Sequence, residues 1–166
     1  MSEAQHLAAA LERLFSEPRL SAFLPFIAAT DGLTAAQAAA VPAPRFNSVW
    51  AIVNHVWFWE ANLLRLLQGR EADHRTLGAP DKSGWPPIGE DHGEADWQLA
   101  RQRALETNAA LAREVERLTD DELAQPLPAW GGAKHRSVQG IIAHNSYHTC
   151  EIISVRHMQG LWLEGA

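Results

Sequence analysis

The stretch 48-SVWAIVNHVWFWEANLLRLL-67 is the most apolar in the chain, and its reading decides the fold. A membrane-spanning helix needs about 20 residues that are nearly all apolar. Asn54, His55, Glu60, Asn62 and Arg65 interrupt this one. It reads instead as a helix of a soluble core, with Ser48 as its N-cap, an end near Gln68 and Gly69 as its stop. Its apolar residues make two stripes. Ser48, Ile52, His55, Trp59, Asn62 and Leu66 form one, and Trp50, Val53, Trp57 and Leu64 form the other. No helix of a four-helix bundle is central, so a helix apolar on two sides points to burial against a second copy, a homodimer.

Three further segments carry helical periodicity. One runs from about Ser2 to Thr30, opening on a Ser2/Gln5 capping box. Leu7, Leu11 and Leu14 share a face that Phe23, Leu24 and Ile27 continue, and Pro18 and Pro25 are expected to kink or break it. Another runs from about Glu94 to Leu118, with Trp97, Ala104, Leu105, Asn108, Leu111, Val115 and Leu118 facing inward. The last runs from Ser137 to about Gln159 and ends at Gly160. The links 41-VPAPRFN-47, 78-GAPDKSGWPPIGEDHG-93 and 125-QPLPAWGGAKHR-136 are rich in Pro and Gly, and no useful strand alternation is present. The expectation is an all-α four-helix bundle, a single domain over residues 1–166.

Composition narrows the partners. The chain has 166 residues, 46% hydrophobic and 20% charged, which is ordinary for a soluble globular domain. A net charge of −6 without a basic stripe argues against nucleic acid as a partner. The interrupted apolar segments argue against a membrane partner. Cys150 is the one cysteine, so a disulfide within the chain is impossible and a cytoplasmic location is the simplest expectation. The N-terminus carries Glu3, Glu12 and Arg13 among its apolar residues and does not read as a signal peptide.

The sequence echoes itself. Residues 33-LTAAQAAAVPAPRFNSVWAIVNH-55 and 118-LTDDELAQPLPAWGGAKHRSVQGIIAH-144 both open on Leu-Thr-x-x-(Gln/Glu), a capping box for a short helix. Both pass a Pro-containing loop and then read Ser-Val, six residues, His. With Ser48 and Ser137 as caps, His55 and His144 each lie roughly 10 Å into their helices. Two hairpins related by an approximate two-fold would bring these histidines together.

His144 and His148 are spaced i, i+4, so they share one helix face with Ile141, Glu151, Ile152 and Val155. Two imidazoles one turn apart suit a single cation, and His55 would supply a third. A three-histidine site keeps an open position for water or substrate, as catalytic zinc sites do. The competing reading is a set of hydrogen-bonded core histidines, though burying three without partners costs stability that a shared metal would relieve. The metalloprotease motif H-E-x-x-H is excluded because Asn145 follows His144. Glu-x-x-His pairs at Glu3/His6 and Glu71/His74 fall at the terminus and in a loop, so they do not make a di-iron site.

Glu151 shares the histidine face and has three functional readings, as fourth ligand, general base, or hydrogen-bond partner to a histidine N–H, against the alternative of a partly exposed carboxylate near the bundle end. Glu60 is a weaker candidate for the same roles and reads first as an exposed helix-surface residue. Cys150, on roughly the opposite face, reads as core or interface packing, and Tyr147 as a rim residue. Asn62 and Asn108 read as satisfied buried amides or as pocket lining. His157 points away from the pair. His6, His74, His92 and His135 are expected in solvent, with His92 and His135 as possible pocket-edge residues.

These features together resemble the DinB-like superfamily of bacterial four-helix bundles. The resemblance is carried by SVWAIVNH, by SVQGIIAHNSYHTCEI in the last helix, by Leu-Thr-Asp-Asp-Glu-Leu at 118–123 and by Val-Pro-Ala-Pro at 41–44. It implies an up-down-down-up bundle, His55, His144 and His148 as ligands of a divalent metal (zinc, nickel or iron), and a homodimer. Members often have Gly-Gln where Cys150 and Glu151 stand here, so this chain places an acid beside the implied metal. Characterised relatives are thiol-S-transferases and a thiol-dependent isomerase using bacillithiol or mycothiol, and others are described as metal-dependent hydrolases. The resemblance thus implies a thiol-S-transferase or hydrolase acting on a small-molecule substrate, with a low-molecular-weight thiol as co-substrate in the first case. The alternative is a non-catalytic metal- or ligand-binding stress-response protein.

Overall fold

A computed structural model describes residues 1–16, 24–89 and 93–163. The long helices are α1 (Glu3–Ser16), α4 (Val49–Leu67), α5 (Glu94–Glu116) and α7 (Lys134–Met158), with short helices α2 (Phe26–Thr30), α3 (Ala35–Ala39) and α6 (Asp120–Ala124) between them. Residues Pro126–Leu127 pair antiparallel with Gly132–Ala133 in a two-stranded ribbon ahead of α7.

The capping signals do what their chemistry predicts. Ser2 and Gln5 bond reciprocally at the start of α1. Thr34/Gln37 and Thr119/Glu122 form full capping boxes on α3 and α6, the two halves of the echo. Ser48 Oγ accepts the Ala51 N–H at the start of α4. The predicted first helix is interrupted, with Pro25 standing as the N-cap of α2, where its missing N–H costs nothing. Pro18 and Phe23 lie outside the described residues, and Ile27 is exposed rather than on the inner face.

The last helix departs from its expected start. It begins at Lys134, capped by Ala133 without a side-chain bond, so Ser137 lies inside the helix and is no cap. The 126–133 ribbon extends α7 by about one turn beyond the point at which α4 starts in the other half.

Packing sets the helix directions. Trp50 meets Trp97, Arg103 sits over the Trp57 ring, and Glu60 meets Asn108, so α4 and α5 run parallel. Glu60 meets Asn145 while His55 meets His148, so α7 runs antiparallel to α4. Ala4, Leu7 and Leu11 of α1 pack with Leu63, Leu67, Leu111 and Val115 at the far ends of α4 and α5. The order is up-down-down-up. Two parallel neighbours require a connection that returns the length of the bundle, and the Pro/Gly-rich segment after α4, described over residues 68–89, belongs to that return.

This segment also corrects the argument for a second copy. It lies along α4, with His74 stacked on Phe58 (5.5 Å) and Trp85 stacked on His55 (3.8 Å). Asn62 Oδ1 accepts the Asp73 N–H, and α3 packs on α4 as well. Both apolar stripes of α4 are covered within the chain. At the other end, Arg156 is buried and donates to the carbonyls of Ala29 and Asp31, tying α7 to the end of α2. No helix among the described residues is long and apolar enough to cross a membrane.

Candidate metal centre

His55, His144 and His148 come together where α4 faces α7, with one ring nitrogen from each within 4.8 Å of the others. The Nε2 atoms of His55 and His144 are 3.1 Å apart. Two nitrogens on a tetrahedral ion with bonds of about 2.0–2.1 Å stand about 3.3 Å apart, so the spacing suits a shared cation.

The other ring nitrogen of each histidine fixes its tautomer. His55 Nδ1 is 2.6 Å from the Gly84 carbonyl, which can only accept, so Nδ1 carries the proton. His148 Nδ1 is 2.7 Å from Glu151 Oε2. His144 Nδ1 is 3.1 Å from Asn145 Oδ1, and that oxygen is aimed there because Asn145 Nδ2 donates to Glu60 (2.7 Å). Every Nε2 is therefore left as a bare lone pair. Three lone pairs converging on one point without a proton between them repel. A metal cation resolves this, and the donor set fits one.

Burial keeps the rings neutral. It pushes His55 down to about 4, with His148 and His144 adding to the shift and the Gly84 hydrogen bond opposing it. Burial and the neighbouring His144 push His148 down to about 4, and burial lowers His144. Neutral imidazole is the form that binds metal.

Gly84 holds this geometry through its backbone. Its φ is +76°, and a Cβ there would land 2.5 Å from Trp59 Nε1. Gly84→Ala is therefore expected to displace the loop, release His55 Nδ1 and weaken metal binding about tenfold, measured by competition with a chelator. Unchanged affinity would show that the Gly84 carbonyl does not orient His55.

Glu60 corrects its sequence reading most sharply. It is fully buried, and Oε1 accepts amide hydrogens from both Asn108 (2.8 Å) and Asn145 (2.7 Å). Burial pushes its carboxyl up to about 8, against the opposing effect of the two amides, so the neutral acid predominates at neutral pH. Oε2 has no hydrogen-bond partner among the described residues, which leaves it to carry the proton. The signal was available: Glu60 and Asn108 both fall among apolar neighbours in the sequence, but pairing them needs the parallel packing of α4 on α5. Asn62 and Asn108 are satisfied buried amides.

Glu151 is half-buried against His148, and burial raises its carboxyl while an Asn47 hydrogen bond opposes that. Tyr147 is exposed, its ring edge-on to His148 at 5.2 Å. Cys150 is exposed, correcting the expectation of core packing. His6 is exposed as expected. His74 is not in open solvent but half-buried on Phe58, and His135 is likewise half-buried, anchored to the Leu123 carbonyl (3.2 Å). His157 stacks on Trp162, away from the cluster. His92 lies outside the described residues.

A cavity of about 810 Å³ opens beside the cluster, reaching it at His144. Its walls come from Trp59 of α4, from the 68–89 return and from the 129–141 segment. The family model of the DinB superfamily matches residues 26–151, from α2 through the histidines of α7. The chain belongs to the DinB superfamily. The match covers His55, His144 and His148, and it stops at Glu151. No curated protein and no solved structure matches the chain. Within the DinB superfamily this chain thus carries the three-histidine cluster on the same two long helices that its sequence echo singles out.

Proposed function

We propose that this DinB superfamily protein is a metal-dependent enzyme in which His55, His144 and His148 hold one divalent cation. The observation that carries the reading is the convergence of one ring nitrogen from each of the three histidines, while each Nδ1 faces Gly84, Asn145 or Glu151. When bound, such a cation supplies Lewis acidity and lowers the pKa of a thiol or water at its open position. Zinc, nickel and iron all suit three imidazoles.

Thiol transfer is favoured over hydrolysis. Hydrolysis needs a free base close to the attacking water. The acid nearest the cluster, Glu151, is engaged with His148 Nδ1, where it orients the ring. Thiol transfer needs room for the body of the thiol or its acceptor, and the cavity at His144 provides it. In that reaction the sulfur forms a bond to an electrophilic carbon of the small-molecule substrate, the bond from that carbon to its leaving group breaks, and the thiol's proton passes through solvent to the departing group. A cytoplasmic setting, which keeps low-molecular-weight thiols reduced, accords with this chemistry and with the free Cys150. Homodimer formation belongs to the same reading, supported by the family resemblance rather than by any uncovered face of α4.

The test is turnover of a panel of electrophiles by metal-loaded protein, with and without bacillithiol, mycothiol or glutathione. Consumption that depends on added thiol is the expected result. Consumption without thiol would establish a hydrolase, and none under any condition would favour a non-catalytic binding protein.

A further inference from the structure

We infer that the cavity at His144 binds a small organic anion, with a carboxylate or phosphate head group and a flat apolar body. This rests on the metal reading above only for where the molecule reacts; the binding itself stands on the cavity walls. The chain as a whole is acidic, at −6, yet among the described residues no Asp or Glu lines the cavity. Lys82 from the return segment and Arg136 from the first turn of α7 both face it. Neither side chain has an ion pair or hydrogen bond among the described residues, so both are available to an incoming anion. The positive end of α7, whose N-cap Ala133 offers no side chain, adds to the same sign.

The apolar half of the site is equally specific. Trp59 and Trp130 meet edge to face at 6.0 Å and both line the cavity, giving a surface on which a flat body can lie. Gly140, one helical turn before His144, faces the same space, and a Cβ added there would meet nothing within 4 Å. The wall before His144 is thus left open by a residue without a side chain. A molecule with its anionic end at Arg136 and Lys82 and its body on the tryptophans lies beside His144, where the proposed cation would meet it.

The experiment is calorimetric titration of the zinc-loaded full chain with phenylacetate, phenyl phosphate and the uncharged phenylacetamide. At least one anion is expected to bind about tenfold more tightly than the amide, and the preferred anion identifies the head group. Arg136→Gln and Lys82→Gln should each weaken that anion about fivefold, as expected for partly exposed ion pairs, without changing the amide. Gly140→Leu, which projects a side chain into the space beside His144 and replaces Gly in a helix with a better helix former, should weaken binding of all three about tenfold. Zinc content, measured on every sample, should be the same in all variants. Anion affinity unchanged in both Gln variants, or unchanged affinity for all three molecules in Gly140→Leu, would overturn the inference. Failure to load zinc would instead remove the metal reading, and the same titrations on the zinc-free chain would still decide the anion site.

Discussion

His55→Ala and His148→Ala are each expected to abolish stoichiometric metal binding while leaving the helical fold intact. Removing one of the three proposed ligands should cost more than the roughly 100-fold upper end for losing an outer hydrogen-bond partner. Glu151→Ala, which removes only the acceptor at His148 Nδ1, should weaken binding by about 10- to 100-fold. In the metal-free protein either histidine variant relieves repulsion among the Nε2 lone pairs, which offsets part of the packing lost. Elemental analysis and circular dichroism of the purified variants give both readouts. Full metal content in either histidine variant would remove the site as described, and unfolding of both would assign the cluster a structural role.

Glu60 gives the largest expected effect on stability. Glu60→Ala leaves the buried amides of Asn108 and Asn145 without their acceptor, at a cost of about 1–3 kcal/mol each, and frees Asn145 from its hold on His144. The conservative Glu60→Gln keeps an oxygen for both amides and isolates the proton. The carboxyl ionises near 4.5 in an unfolded chain and near 8 here, so between these pH values the folded state holds the extra proton and stability falls as pH rises. The lowered His55 and His148 act oppositely, with stability gained as pH rises from about 4 to 6.5 in the metal-free chain. From pH 6.5 to 8 the lowered histidines no longer contribute, and Glu60→Gln separates Glu60 from Glu151, whose carboxyl burial also raises. Denaturant unfolding of metal-free protein should lose about 2 kcal/mol across this interval, and Glu60→Gln should remove that loss. An equal slope in both proteins would mean that Glu60 is ionised in the fold.

The bundle was legible in the sequence because its signals are local. Capping boxes at Thr34/Gln37 and Thr119/Glu122, the Ser48 cap and helical periodicity each depend on residues within a few positions. The histidine pair of α7 was legible for the same reason, since i, i+4 spacing fixes a shared face. His55 followed from the echo, although the echo was imperfect. Ser137 is not a cap, and the histidines meet because α4 and α7 pack antiparallel, not because they lie at equal depth from their helix starts.

By itself the sequence determined the four long helices, their all-α packing and the three imidazoles that converge. Only the tertiary structure decided what surrounds them. Glu60 looked like a surface acid because its partners, Asn108 and Asn145, lie 48 and 85 residues away on other helices. The return segment looked like a solvated loop, yet it covers α4, puts Gly84 and Trp85 on His55 and carries Lys82 to the cavity. Periodicity reports which face of a helix is buried, but not what buries it. That depends on contacts between distant segments, which no local pattern encodes.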